Sequence, residues 1–199
     1  MKPVNKSIYQ SFKTFSLVSV LALSGSVFAA PLNSVIDDFD NTSNNNLGIP
    51  RMSLSDITAG GSTTTELMVS NGVIQIKGEI VPPRGQPGWS SLILPLGPEG
   101  EGQDANKFVG IKLLVKISNG SISISANSTE VVNYDYHSAQ IAVNSDGKFH
   151  EIKIPFDSMK RMWSEQTPLN RQTLNSLSIV AFGMQKTLYD FEIDQVSFY

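Results

Sequence analysis

Four large aromatic side chains, Trp89, Tyr134, Tyr136 and Trp163, carry the chemistry most suited to holding a ligand in this chain. Each has an apolar body and a polar tip, so on a sheet surface or rim loop it stacks on a sugar ring or anchors a protein partner. Arg84 and Gln86 stand in the loop just before Trp89 and add polar contacts, and His137 follows Tyr136 directly. The bland alternatives stand beside these. Trp89 at a strand start also suits a core, and a strand histidine also serves as a structural hydrogen-bonding group.

Catalytic chemistry has less to work with. The only histidines are His137 and His150, and no Gly-x-Ser-x-Gly elbow accompanies them, so a Ser-His-Asp arrangement has no local support. Paired carboxylates for glycoside hydrolysis leave no local motif, so Asp37, Asp38, Asp135, Glu151 and Asp194 qualify only by residue type. The glycine-rich run from Gly97 to Gly102 carries Glu99 and Glu101 and opens no helix, so it repels phosphate rather than cradling it. Asp37 and Asp38 near the start and Asp194 near the end would meet if the terminal strands pair. A structural Ca²⁺ held by oxygen ligands then competes with the simpler reading that these acids face water. No other cofactor is expected.

The 199 residues include no cysteine, which removes disulfides, thiol nucleophiles and thiolate metal sites. Hydrophobic residues make up 40% and charged ones 17%, suited to one domain with a real core. The net charge is −3, and setting aside Lys2, Lys6 and Lys13 of the N-terminal segment takes it to −6. An acidic chain argues against a nucleic-acid partner. Those three lysines precede an apolar run, Phe15 to Leu23, and a small-residue stretch, Ser24 to Ala29, the pattern of a signal peptide cleaved before Ala30. The apolar run is shorter than the roughly 20 residues of a spanning helix, so no transmembrane segment is expected. The chain thus reads as a signal peptide, residues 1–29, and a single exported domain, residues 30–199, periplasmic or secreted.

From Val35 onward the cadence is strand and turn. Val35 to Phe39, Met52 to Ile57, Thr64 to Val69, Val73 to Ile80, Trp89 to Leu94 and Phe108 to Ile117 read as strands. Ser121 to Ser125, Leu177 to Gly183 and Phe191 to Phe198 follow in the same manner. Asn71-Gly72 marks a hairpin, Asn119-Gly120 a tight turn, and Val81 to Gly88 (VPPRGQPG) a loop. Asn133 to Phe156 reads as a second hairpin about Asn144 to Gly147, with Tyr134, Tyr136, Ser138 and Gln140 on one strand face. On the other strand, His150, Ile152, Ile154 and Phe156 alternate with Glu151 and Lys153, and Pro155 ends it. Met159 to Thr173 is the place for short helical turns. The pattern predicts an all-β sandwich or jelly roll.

Several short runs, in order, resemble one family. These are Ser55-Asp56-Ile57-Thr58-Ala59-Gly60-Gly61-Ser62, Gly88-Trp89-Ser90-Ser91, Gly110-Ile111-Lys112-Leu113-Leu114-Val115-Lys116, Tyr136-His137-Ser138-Ala139 and Ile154-Pro155-Phe156. Together, over roughly Val35 to Phe198, they resemble the NADH:ubiquinone oxidoreductase intermediate-associated protein 30 family. The departures are Ser118-Asn119-Gly120, where the family has an acidic-glycine turn, and Phe149, where it has tryptophan. The resemblance implies a galactose-binding-domain-like jelly roll. Its mitochondrial members help assemble respiratory complex I, which makes an assembly or chaperone-like role the alternative to a non-catalytic envelope module binding a glycan or a protein. A glycoside hydrolase-like enzyme is the third reading.

N-terminal sequencing of the protein purified from its native cell is expected to begin at Ala30. An intact Met1 on a cytoplasmic product contradicts the export reading.

Overall fold

A computed structural model describes residues 32–199; the predicted signal peptide, residues 1–29, lies outside the described residues. The strands are β1 (Val35–Asp37), β2 (Met52–Ser55), β3 (Thr64–Ser70), β4 (Val73–Ile80), β5 (Gly88–Pro95) and β6 (Gly110–Asn119). After them come β7 (Ser121–Ser128), β8 (His137–Ile141), β9 (His150–Pro155), β10 (Lys160–Arg161), β11 (Leu174–Gly183) and β12 (Thr187–Phe198). They form two antiparallel sheets facing each other as a galactose-binding-domain-like jelly-roll sandwich. The first sheet runs β3-β4-β12-β6-β9, with β1 also on β12; the second runs β10-β8-β7-β11-β5-β2.

The pleat explains the core. Alternate residues of each strand point inward, so Ile74, Ile76, Ile111, Leu113, Phe191 and Ile193 of the first sheet meet Leu92, Leu94, Ile122, Ile124, Leu177 and Ile179 of the second in one buried cluster. In β12 strict alternation would turn Gln195 and Ser197 inward. A register shift between Ile193 and Gln195 on β6 corrects this and keeps Val196 and Phe198 buried. Phe156 is 1% exposed against Phe198, with ring centroids 5.8 Å apart. Among the described residues no helix is long and apolar enough to cross a membrane.

The hairpin expected at Asn71-Gly72 is present, with Asn71 at φ 53° and Gly72 at φ 72° between paired Ser70 and Val73. The second expected hairpin is corrected, and the expected tight turn at Asn119-Gly120 is present. Asn133 to Phe156 is not a hairpin, because β8 pairs with β7 and β10 in the second sheet while β9 pairs with β6 in the first. The Asp146-Gly147 stretch therefore lies on a crossover between sheets. That turn passes directly from β6 of the first sheet to β7 of the second. Gly120, at φ 94°, passes so close to Tyr189 that an added Cβ would lie 2.8 Å from its Cβ. Of the helical turns, Arg171–Thr173 falls within the stretch expected to hold them, and Asp56–Ala59, Pro98–Gly100 and Phe156–Ser158 lie outside it. β9 closes one edge of the first sheet and ends at Pro155, an edge position that a residue with no N–H tolerates.

Candidate ligand-binding face

Each sheet buries one face, and the two faces left outside differ sharply in charge. On the first sheet, Lys77 meets Glu66 at 3.3 Å, Lys116 meets Glu192 at 2.5 Å and Lys112 meets Glu151 at 3.7 Å, a ladder of compensating charges. On the second sheet the register aligns Lys160, Ser138, Ser125, Ser178, Ile93 and Met52 across the strands. The next row is Gln140, Ser123, Val180, Ser91 and Leu54, flanked by Ser121, Phe182 and Trp89 on one side and Asn127, Ser176 and Pro95 on the other. Lys160 is the only charged residue in these rows.

The second face is divided. Hydroxyls and amides occupy β7 and β8, with Asn127 Nδ2 donating to Ser176 Oγ at 3.0 Å and Ser178 Oγ at 2.8 Å, and Ser125 Oγ donating to Ser138 Oγ at 3.3 Å. Apolar side chains occupy β5 and β2 and one end of β11: Trp89 opposite Phe182, then Val180, Ile93, Leu54 and Met52. Met52 is 57% exposed and Leu54 43%. Ser125, Ser138 and Ser178 are buried and paired with their neighbours, so the accessible hydrogen-bonding groups of this face are Ser121, Ser123, Asn127, Gln140 and Ser176. Such a surface offers flat apolar area beside neutral polar groups, and most of it desolvates without stranding a charge.

The Ser55–Ser62 run fixes the Trp89 end. Asp56 is fully buried, and its carboxylate accepts from Thr63 N at 3.1 Å, Thr63 Oγ1 at 2.7 Å and Trp89 N at 3.2 Å. One side chain thus ties the end of β2 to the approaches of β3 and β5. The glycines make room for it: a Cβ on Gly61 would lie 2.3 Å from the Asp56 carboxyl carbon, and one on Gly88 2.9 Å from Oδ2. Gly60, at φ 83°, supplies the left-handed bend.

A second cluster lies where the loop before β8 meets the loop after β10. Asp135 is buried and accepts from Tyr136 N at 2.8 Å and Met162 N at 3.0 Å on one oxygen, and from Arg161 Nε at 2.9 Å and Ser164 N at 3.0 Å on the other. Arg161 also reaches Asn133 Oδ1 at 3.2 Å. Burial pushes the Asp135 carboxyl up, but the hydrogen bonds from Arg161, Ser164 and Tyr136 outweigh it and hold the group well below the usual carboxylate range. The Tyr136 phenol is pushed up by burial and by the Asp135 charge. The two loops carry Tyr134, 92% exposed at φ 62°, and Trp163, 60% exposed with its ring edge-to-face on Tyr136 at 5.3 Å.

The structure therefore distributes the predicted residues. Tyr136 meets Trp163, but Tyr134 and Tyr136 precede β8 instead of lying on it, and Ser138 is 8% exposed within the strand rows. Trp89 is half-buried on the outer face, with Arg84 and Gln86 exposed in the loop before it. His137 points inward: its Nε2 donates to the Thr167 carbonyl at 2.8 Å, and its Nδ1 is buried with no partner among the described residues. His150 stands on the other sheet, paired with Asp146 at 2.8 Å. β1 does pair with β12, yet the terminal acids do not converge. Asp37 is bound by Arg51 at 2.6 Å, Asp38 accepts from Asn46 Nδ2 at 2.7 Å, and Asp194 sits in the β12 register shift. Among the described residues no group of three or more His, Cys, Asp or Glu is placed to hold a metal ion. The serine rows and Phe182 were missed, although Ser121 to Ser125 already alternates serine outward with isoleucine inward.

The model of one family, described as complex I intermediate-associated protein 30, matches residues 39–193. No curated protein matches the chain. Among solved structures, the family 11 carbohydrate-binding module of the cellulosomal cellulase Lic26A-Cel5E of Clostridium thermocellum gives a TM-score of 0.58 at 20% identity, covering 85% of this chain and 95% of that one. The family 11 module from the same organism, in complex with a β-1,3-1,4-mixed-linked tetrasaccharide, gives 0.57 at 19% identity, covering 85% and 96%. The agarase AgWH50C gives 0.55 at 9% identity, covering 82% of this chain and 24% of the agarase. At these identities the likeness is one of fold.

Replacing Arg161 by methionine is expected to cost about 3 to 5 kcal/mol in denaturant unfolding, because it leaves Asp135 buried without its cation. A loss under about 1 kcal/mol contradicts the role given to this pair. Since the folded carboxyl sits below its unfolded value of about 3.9, its contribution is present above that pH and fades as the pH falls further. Stability of the wild type should therefore drop more steeply below pH ~4 than that of Arg161→Met.

Proposed function

The chain belongs to the complex I intermediate-associated protein 30 family, and from that premise we propose that it is an exported, non-catalytic binding module of the cell envelope that holds a neutral glycan on the outer face of its second sheet. The observation that carries this reading is the contrast between the outer faces. One is laced with Lys–Glu pairs, and the other combines Trp89 and Phe182 with rows of serines and carries Lys160 as its one charged strand residue. A sugar ring has apolar C–H faces and a hydroxyl rim, so it stacks on the aromatic side and hydrogen-bonds on the serine side. A solved module of the same fold, bound to a mixed-linked tetrasaccharide, adds support, and so does the signal-peptide pattern before Ala30.

A second reading, association with a protein partner, draws on the family's description and on the loop cluster. Val132 (86%), Tyr134 (92%), Met162 (54%) and Trp163 (60%) are exposed on two loops held by the Asp135–Arg161 pair. Tryptophan and tyrosine on a rigid support have the composition of an interface hot spot.

Calorimetric titration with the mixed-linked tetrasaccharide separates the two. The double variant Trp89→Ala and Phe182→Ala should bind at least tenfold more weakly, with a melting temperature within a few degrees of wild type. Tyr134→Ala with Trp163→Ala should bind as wild type does. If the loop variant loses binding and the sheet variant keeps it, the glycan is not held on the sheet.

A further inference from the structure

At one end of the second sheet's outer face lies a groove of about 370 Å³, walled by Met52, Ile93, Pro95 and Ser176 of the sheet, by Pro50 before it and by Glu99 of the Pro98–Gly100 turn. From this groove we infer that the protein has a terminal subsite for a neutral glycan chain lying along β5 and β11, a site that rests on the glycan reading above and adds a direction and an end to it.

The outward side chains of β5 are Trp89, Ser91, Ile93 and Pro95, and those of β11 alongside are Phe182, Val180, Ser178 and Ser176. A chain laid over this seam keeps its apolar faces on Trp89, Phe182, Val180 and Ile93, with one hydroxyl edge toward the Ser123, Ser125 and Asn127 side. Laid across the strands, the same chain would leave the apolar half after two or three strands and lie over serines alone. From Trp89 to Pro95 the strand advances about 20 Å at roughly 3.3 Å per residue, the length of about four hexose units.

The two ends of this seam differ. Trp89 and Phe182 at one end are half-buried beside the exposed loop that carries Arg84 and Gln86, while beyond Pro95 the chain turns through Gly97, and Glu99 and Gly100 wall the groove. The wall is a built feature: Glu99 is a non-glycine residue at φ 51°, followed by Gly100 at φ 78°. Its volume falls in the range of small-ligand pockets, and the sheet residues that floor it belong to the same rows as the face itself. The Glu99 carboxylate at the rim accepts hydroxyl hydrogen bonds and repels uronates, which sets the class of the end unit as a neutral sugar.

The test is a chain-length series of neutral mixed-linked gluco-oligosaccharides, disaccharide to hexasaccharide, titrated into the mature protein and into two groove-filling variants, Ser176→Phe and Met52→Trp, each first checked for an unchanged melting temperature. Met52 is an exposed edge residue, so that variant is available if Ser176→Phe fails to fold. Wild-type affinity should rise at least tenfold from disaccharide to tetrasaccharide. Filling the groove should abolish that rise while leaving the disaccharide, held at Trp89, unaffected. A rise that persists in the folded variants overturns the terminal subsite and leaves the glycan face standing. Wild-type protein that binds none of the series overturns both.

Discussion

A strand in a two-sheet sandwich must bury one side, and that requirement decides where each of its other side chains goes. Ile122, Ile124 and Ala126 of β7 are fully buried, so Ser123, Ser125 and Asn127 turn to the opposite face, where Ser123 and Asn127 are half-exposed and Ser125 is covered at 1% exposure and bonded to Ser138. Trp89 and Ile93 turn the same way between Ser90, Leu92 and Leu94 of β5. The first sheet sets paired lysines and glutamates across its outer face, with Met68 and Leu188 exposed singly among them, as a solvated surface does. The second fills them with serines and large apolar residues, a poor choice for water alone and a suitable one for a neutral ligand with apolar faces.

The irregular segments are held by carboxylates taken out of water. Asp37 takes both Nε and Nη2 of Arg51 at 2.6 Å and caps Phe39 N at 3.0 Å, and the Arg51 guanidinium lies 4.9 Å over the Phe39 ring. Phe39 can therefore keep φ 56° while buried. Asp56 and Asp135 do comparable work elsewhere, the first placing Trp89 at the end of the outer face and the second joining the two aromatic loops. Each carboxylate is satisfied by several donors, which is the condition for its burial to be tolerated. A buried pair adds little net stability over an apolar replacement, so its contribution is to the geometry of the loops it joins.

Alternation along the chain revealed which residues turn inward, because the period of two is a property of the strand alone. It did not reveal to which sheet a strand belongs. Asp146-Gly147 and Asn119-Gly120 look like Asn71-Gly72 in sequence, yet only the last closes a hairpin, since the other two connect strands across the sandwich. Tyr134 and Tyr136 suffered from the same limit. Their spacing matches a strand face, but the carboxylate between them draws one donor from Tyr136, one from Arg161 of β10 and two from the loop after it, and this holds the stretch out of the ladder. Asp56 was visible as part of a family motif, but its role needs Gly61, Thr63 and Trp89 in one place. Ser123, Ser125 and Ser178 are unremarkable one by one and come to share one sheet face only once β7 and β11 are side by side.

The most direct test of the proposed glycan face is backbone NMR of residues 30–199 during titration with the mixed-linked tetrasaccharide. The account predicts amide shift changes concentrated on β5, β7 and β11, with Trp89, Ser91, Ile93, Ser125, Ser178 and Phe182 among the most affected and the Lys116–Glu192 face silent. Changes centred on the ion-paired face, or none at millimolar sugar, would contradict it.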